Sequence, residues 1–167
     1  MGDIVVLSLG SNLGDRENNI KAAVKLLEEK FNTKLKKSPV YETPPLYHTN
    51  SGYYYNCCVS FETDYEPEKI FKSVNSIEKE LKRKRKEPNA PRTIDIDIIF
   101  IGEKIIATDK LTVPHPGMQD RLFVLQPLSD ILANFVHPAM QLKVTDLLHE
   151  CIDISVLKEI KGFWNKK

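Results

Sequence analysis

The chain has 167 residues, of which 41% are hydrophobic and 28% are charged, and its formal net charge is +1. This composition predicts one globular domain over residues 1–167, and it does not favour binding to nucleic acid or a membrane through overall charge. No apolar run approaches the length of a membrane-spanning helix, and no secretory leader is apparent. Three cysteines, two of them adjacent, fit neither a disulfide framework nor a zinc motif. We therefore expect a cytoplasmic protein with reduced thiols.

The first two predicted elements are a strand and a helix joined by a glycine turn. Residues 4–9 are almost continuously apolar, which predicts a central strand that ends at Gly10. Asp15 is a suitable N-cap for the helix, whose apolar residues recur at helical spacing to about Lys30. The turn matches neither the G-x-G-x-x-G motif nor the P-loop motif. We therefore interpret Gly10 and Gly14 as turn residues that supply glycine dihedrals.

The middle of the chain predicts two further strands, residues 33–42 and 53–63, and then a helix that opens at Pro67. Two consecutive prolines within residues 43–46 stiffen the loop between the strands. That loop either presents backbone groups to a planar heterocycle or simply terminates a strand. The aromatic start of the third strand, followed by Asn56, allows either a stacking platform beside a hydrogen-bonding amide or ordinary packing.

Residues 92–100 carry the most informative pattern in the chain. Isoleucines alternate with Asp95 and Asp97, which predicts a strand with both carboxylates on one face, about 7 Å apart. Such a pair can hold one or two divalent cations, and oxygen ligands without nearby His or Cys favour Mg²⁺. Arg92, just before the strand, suits phosphate binding. By itself the pattern is also that of a solvent-exposed strand face with two ordinary aspartates.

A histidine held between two prolines, His115, follows in a rigid loop. It is either a phosphate ligand or an ordinary loop histidine. Arg121 and Phe123 come next in a short turn or helix, and residues 127–132 and 145–151 predict short helices. The tail that follows them carries no recognisable chemistry.

The predicted element order is β-α-β-β-α-β, followed by irregular additions. This order is that of a ferredoxin-like α+β fold, with an antiparallel sheet, the two main helices on one face, and additional C-terminal helices. The other face of the sheet is then free for a ligand. An acidic pair, scattered arginines and lysines, a histidine on a rigid loop and no catalytic triad together favour phosphoryl transfer from a nucleotide.

An RNA-binding module is the principal alternative, because ferredoxin-like sheets can bind RNA through exposed aromatic side chains. The basic cluster within residues 79–86 would then contact phosphates. Against this alternative, no RNP1-like stretch is present, the net charge is near zero, and the acidic strand repels a phosphate backbone.

Four blocks of sequence occur in an order and spacing that resemble a known family. They are Gly-Ser-Asn-Leu-Gly-Asp at 10–15, Tyr-Glu-Thr-Pro-Pro-Leu at 41–46, Pro-Arg-Thr-Ile-Asp-Ile-Asp-Ile at 91–98 and Leu-Thr-Val-Pro-His-Pro at 111–116. The chain thereby resembles the 6-hydroxymethyl-7,8-dihydropterin pyrophosphokinases of folate biosynthesis. The resemblance implies a ferredoxin-like, Mg²⁺-dependent enzyme that transfers the diphosphate of ATP to the pterin hydroxymethyl group and releases AMP. Its implied partners are these two small molecules, and docking to a neighbouring folate-pathway enzyme is left open.

The same resemblance implies a role for each matching position. The ligands of two Mg²⁺ ions are Asp95 and Asp97. The residues that contact phosphates are Arg83, Arg85, Arg92, His115 and Arg121, and Arg83 and Arg92 count as catalytic together with the two aspartates. The residues of the adenine pocket are Ile98, Leu111 and Thr112. The residues around the pterin are Thr43, Pro44, Pro45, Leu46, Tyr54, Asn56 and Phe123.

The chain departs from the family pattern at two places. Asn89 and Ala90 precede Pro91 where many members have an aromatic residue and a glycine, so no aromatic lid over the pterin is expected from this loop. Pro116 stands where some members have a tyrosine, so no phenol contact to phosphate is expected.

Overall fold

The computed structural model describes residues 2–44, 52–83 and 93–165, and for Arg83 the backbone alone. The main strands are β1 (Asp3–Ser11), β4 (Tyr54–Thr63) and β5 (Asp95–Ile101), and the main helices are α1 (Arg16–Phe31), α2 (Pro67–Arg83) and α3 (Leu122–Leu132). The shorter elements are β2 (Lys36–Lys37), β3 (Tyr41–Thr43), β6 (Ile106–Ala107), β7 (Thr112–Val113), α4 (Val144–Glu150), β8 (Lys158–Glu159) and two 3₁₀ helices, Met118–Asp120 and Phe163–Asn165. Within the described ranges, no helix is long and apolar enough to cross a membrane.

The main sheet has the strand order β5-β1-β4-β3-β8, with β2 also paired to β4, and each of these pairings is antiparallel. β6 and β7 form a separate antiparallel pair. α1 and α2 connect the strands in the predicted order. The prediction of a ferredoxin-like α+β fold is confirmed.

The two faces of the main sheet are covered by different helices. The back face, which carries Leu7 and Leu9 of β1, packs against α1 and α2 in one apolar core. The front face, which carries Val6, Ser8 and Gly10, is covered over part of its area by α3 and α4 in a second core. The prediction that the two helices of the β-α-β-β-α-β core share one face is therefore confirmed for α1 and α2. The C-terminal helices lie on the opposite face, and they leave part of it open.

The strand predicted over residues 33–42 is divided into β2 and β3, because Pro39 has no N–H to donate to the sheet. Just before the proline, the backbone N–H of Ser38 donates to the carbonyl of Cys58 (2.9 Å). The Ser38 hydroxyl accepts from the Cys58 N–H (2.9 Å). The carbonyl of Ser38 is thereby free to accept from the indole Nε1 of Trp164 (2.8 Å). The C-terminal tail is thus fixed to the sheet at the break.

α3 begins at Leu122 rather than at the predicted residue 127, because its first turn is capped from a distant segment. Arg121 makes no side-chain capping hydrogen bond. Instead, the Asp153 carboxylate accepts from the backbone N–H of Leu122 (3.0 Å). Burial raises the pKa of Asp153, but this hydrogen bond and two from Ser155 outweigh it and place the pKa below its usual value. Pro127 lies inside the helix and not at its start.

Candidate functional site

Two carboxylates and an amide lie close together on the front face. Gly10 of β1 is paired with Asp95 of β5 on one side and with Asn56 of β4 on the other. Asp97 lies in the next row, opposite Ser8. Directly paired residues point to the same face of the sheet, about 5 Å apart, so Asp95 and Asn56 are separated by about 10 Å across the front face.

The predicted alternation is confirmed from Asp95 to Ile98, and it is interrupted after Ile98, where the register between β1 and β5 shifts and Phe100 pairs with Val6 of the front face. Ile96 and Ile98 are 5% and 8% exposed, whereas Asp95 is half-buried and Asp97 is exposed. Over residues 2–44, 52–83 and 93–165, no group of three or more His, Cys, Asp or Glu side chains is arranged to hold a metal ion. A cation on the aspartate pair therefore needs further ligands from elsewhere. Mg²⁺ suits such a site, because it prefers oxygen ligands and commonly takes several of them from substrate phosphates and water.

Two side chains that were not identified from the sequence hold the start of β5. Glu78 of α2 accepts a hydrogen bond from the backbone N–H of Ile96 (2.8 Å). Burial raises the pKa of the Glu78 carboxyl above its usual value, and the neighbouring aspartates add to the rise. The Asn19 amide of α1 donates to the carbonyl of Thr93 (3.2 Å), two residues before Asp95. Both contacts join segments that are distant in the chain, so no local pattern signals them.

The Asn56 amide is held in one orientation. Its Nδ2 donates to Thr43 Oγ1 (2.7 Å), and the two residues are 4% and 2% exposed. A Cβ atom at Gly10 would lie 2.7 Å from Asn56 Oδ1, so the amide lies against the bare backbone of Gly10. The interpretation of Gly10 as a turn residue is wrong, because it lies within β1 and is required by this close approach. Gly14 has a φ of 66°, as expected for a turn glycine.

His115 lies between an aspartate and an arginine. Its backbone N–H donates to the carbonyl of Ile99 (3.0 Å), which attaches the loop to β5. Its Nδ1 accepts from the N–H of Gly117 (3.1 Å), which leaves Nε2 as the atom available to a ligand. Burial lowers the pKa of His115, while Asp97 raises it and Arg121 lowers it. These three groups are therefore electrostatic neighbours, as the binding of one phosphate chain would require.

The predicted pterin residues that the structure describes lie at the front face. The Cδ1 atom of the Tyr54 ring lies 3.6 Å from the position that a Cβ atom would occupy at Gly10. Phe123, at the start of α3, packs against the front-face core, and Pro44 follows β3 and is half-buried. The predicted site residues outside the described ranges are Pro45, Leu46, Arg85 and Arg92, together with the side chain of Arg83.

Two of the predicted adenine residues, Ile98 and Leu111, lie on the opposite face of the sheet from the aspartates. Ile98 belongs to the back-face core, and Leu111 packs against that core. Thr112 is exposed in β7, where it pairs with Ala107. Among the strands that the structure describes, β5 is the last on its side of the sheet. A ligand that contacts both Leu111 and the aspartates must therefore pass the outer edge of β5.

Comparison with known proteins identifies relatives of the chain. The family model described as 7,8-dihydro-6-hydroxymethylpterin-pyrophosphokinase (HPPK) matches residues 6–133. The folic acid synthesis protein FOL1 of Dictyostelium discoideum is 43% identical over 140 residues, which are 84% of this chain and 21% of the relative. The 2-amino-4-hydroxy-6-hydroxymethyldihydropteridine pyrophosphokinase of Bacillus subtilis (strain 168) is 40% identical over 132 residues, which are 78% of this chain and 79% of the relative.

Solved structures share the fold. Wild-type HPPK-DHPS of Plasmodium falciparum is similar with a TM-score of 0.67 at 18% identity, and the match covers 90% of this chain and 45% of that one. At this identity the likeness concerns the fold alone. The chain spans about a fifth of the length of the first curated relatives.

Proposed function

Because this chain belongs to the 7,8-dihydro-6-hydroxymethylpterin-pyrophosphokinase family, we propose that it transfers the β,γ-diphosphate of ATP to the hydroxymethyl oxygen of 6-hydroxymethyl-7,8-dihydropterin. AMP is the second product. The proposal rests on the row formed by Asp95, Gly10 and Asn56 across the front face. This row places a carboxylate suited to a phosphate-bound cation near a buried amide suited to a heterocycle, and so supports the binding of both substrates side by side.

Asp95 and Asp97 are the proposed ligands of two Mg²⁺ ions. Their oxygen donors fit this cation, and both lie on the front face of β5. When bound, Mg²⁺ neutralises charge on the transferred phosphates and favours ionisation of the pterin hydroxyl. The Glu78 carboxylate accepts a hydrogen bond from the N–H of Ile96 and thereby holds the backbone between the two aspartates.

The pterin is proposed to bind over Gly10. Asn56 and Thr43 offer it hydrogen bonds, and their mutual bond of 2.7 Å orients the Asn56 amide before the substrate arrives. Tyr54 and Phe123 are the proposed stacking partners on the same face. The backbone at Pro44, Pro45 and Leu46 is proposed to contact the remaining edge of the ring.

The triphosphate is proposed to run past Asp97 toward β7. His115, through Nε2, and Arg121 are its proposed contacts on this side. The family resemblance supports further phosphate contacts from Arg83, Arg85 and Arg92, and an adenine pocket formed by Ile98, Leu111 and Thr112. These groups bind and neutralise charge, and the reaction needs no nucleophile from the protein.

The wider setting is proposed from relatives. One solved relative is named HPPK-DHPS and one relative from Arabidopsis thaliana is named a folate synthesis bifunctional protein, which supports a neighbouring folate-pathway enzyme as a partner. We propose that residues 1–167 form one pyrophosphokinase domain. The buried free thiols of Cys57 and Cys58 support a reducing, cytoplasmic location.

Product analysis tests the proposed reaction. Incubation of the chain with ATP, Mg²⁺ and the dihydropterin is expected to release AMP and the pterin diphosphate in equal amounts. AMP release is expected to require both the pterin and Mg²⁺. Formation of ADP would indicate a simple kinase and contradict diphosphate transfer. Salt-dependent RNA binding without any ATP consumption would favour the RNA-binding alternative.

A further inference from the structure

Arg16, the first residue of α1, joins three segments of the fold. Its Nη1 donates to the Glu42 carboxylate of β3 (3.0 Å) and to the backbone carbonyl of Tyr53, just before β4 (2.9 Å). Its Cζ atom lies 3.9 Å from the centroid of the Tyr55 ring. The side chains of Arg16 and Glu42 are only 27% and 26% exposed, so water screens this ion pair only in part.

These contacts lie directly behind the proposed pterin site. Glu42 and Tyr55 are paired across β3 and β4, and both point to the back face. Successive residues of a strand alternate between faces. The front face of the same two strand ends therefore carries Thr43 next to Glu42, and Asn56 next to Tyr55. Any shift of these strand ends moves the Asn56–Thr43 hydrogen bond as well.

The Tyr55 ring is itself supported by the C-terminal tail. It packs edge-on against Phe163 at 6.1 Å between centroids, and Phe163 packs against Trp164 at 4.7 Å. Lys158 of β8 pairs with Glu42. The tail thereby fixes the Tyr55 ring on which the Arg16 guanidinium stacks. No local pattern in the tail predicted this role.

The stability of α1 does not explain why its first residue is an arginine. A cation in the first turn of a helix opposes the helix dipole. Asp15 already caps α1 by accepting from the N–H of Asn18 (3.1 Å). The planar guanidinium of an arginine, however, can stack its face on a ring while its N–H groups donate hydrogen bonds in the plane, whereas the ammonium of a lysine is a compact charge with no such face.

We propose that Arg16 is a positioning residue for the pterin: from the back face it fixes the ends of β3 and β4 that present Thr43, Asn56 and Tyr54 on the front face. This inference rests on the proposed function of the front face. Arg16 does not contact the substrate. Its effect is to keep the recognition groups in place before binding, where a misplacement of about 1 Å is enough to weaken binding strongly.

Binding measurements on Arg16→Met test the inference. The substitution keeps an unbranched apolar side chain and removes the guanidinium group with its hydrogen-bond donors and its charge. We expect the Kd for the dihydropterin to rise about tenfold, with the Kd for an ATP analogue changed less than about threefold. Arg16→Lys is expected to give an intermediate loss and serves if Arg16→Met fails to fold. Lys72→Met is the matched control, because Lys72 forms an exposed ion pair with Glu68 within α2 (3.2 Å), apart from Tyr55 and Phe163.

A double-mutant cycle tests whether Arg16 acts on the pterin site through Glu42. Glu42→Gln alone is expected to weaken pterin binding, and Arg16→Met in its presence is expected to add less than the two separate losses. Equal weakening of pterin and nucleotide binding, or unchanged pterin binding in both Arg16 variants, would overturn the inference alone. Failure of the unmodified chain to bind the dihydropterin would overturn the proposed function and the inference with it.

Discussion

Asp97→Asn is expected to lower kcat for AMP formation about a thousandfold or more, and Asp95→Asn is expected to do the same. A metal ion supplies several kcal/mol of transition-state stabilisation in phosphoryl transfer, and each 1.36 kcal/mol corresponds to a factor of ten in rate. The amide keeps the shape of the side chain but removes the negative charge that holds the cation. Steady-state AMP release at saturating substrates measures the effect.

The fold is expected to survive both changes, because Asp97 is exposed and Asp95 is half-buried. Glu62→Gln is a suitable control, since Glu62 is an exposed carboxylate on the same sheet, opposite Ile4 and remote from the front-face row. Its activity is expected to equal that of the unmodified chain. Full turnover by both aspartate variants would contradict the assignment of the metal ligands.

Gly10→Ala is expected to weaken pterin binding about tenfold to a hundredfold while the chain remains folded. The new Cβ would lie 2.7 Å from Asn56 Oδ1, so the Asn56 amide has to move away from its bond to Thr43. The atom that yields is the far end of a side chain, which is why the strand itself is expected to tolerate the change. Calorimetric titration with the dihydropterin measures the loss.

Nucleotide binding shows whether Gly10→Ala affects the pterin site alone or the whole front face. The Kd for an ATP analogue is expected to change less than about threefold in Gly10→Ala, because the three atoms nearest to the new Cβ belong to Asn56 and Tyr54 and none belongs to Asp95. Gly52→Ala is the control: among the described residues, the atom nearest to its Cβ would be the carbonyl oxygen of Asn12 at 3.8 Å. If Gly10→Ala binds the dihydropterin with the Kd of the unmodified chain, the present orientation of Asn56 is not required for pterin binding.

Local periodicity was sufficient to predict the parts of the site that lie on regular elements. The alternation of isoleucine and aspartate placed Asp95 and Asp97 on one face of β5, and the structure has them there. The order of strands and helices likewise predicted which face α1 and α2 cover. These features depend on residues that are neighbours in the sequence, where strand and helix periods apply directly.

Contacts between distant segments were not predictable in this way. The need for glycine at position 10 arises from Asn56 on the adjacent strand. Glu78 supports β5 only because α2 packs against that edge of the sheet. The start of α3 depends on Asp153, far along the chain. In each case the deciding partner is fixed by tertiary packing, and neither propensity nor spacing near the residue indicates it.

Transfer of a labelled β-phosphate tests the central claim most directly. The chain is incubated with Mg²⁺, the dihydropterin and ATP labelled in the β-phosphate, and the pterin product and the nucleotide are separated. Diphosphate transfer predicts that all of the reacted label appears in the pterin product and that the released AMP is unlabelled. Label retained in a nucleoside diphosphate, with an unlabelled pterin product, would show transfer of the γ-phosphate alone and contradict the proposed reaction.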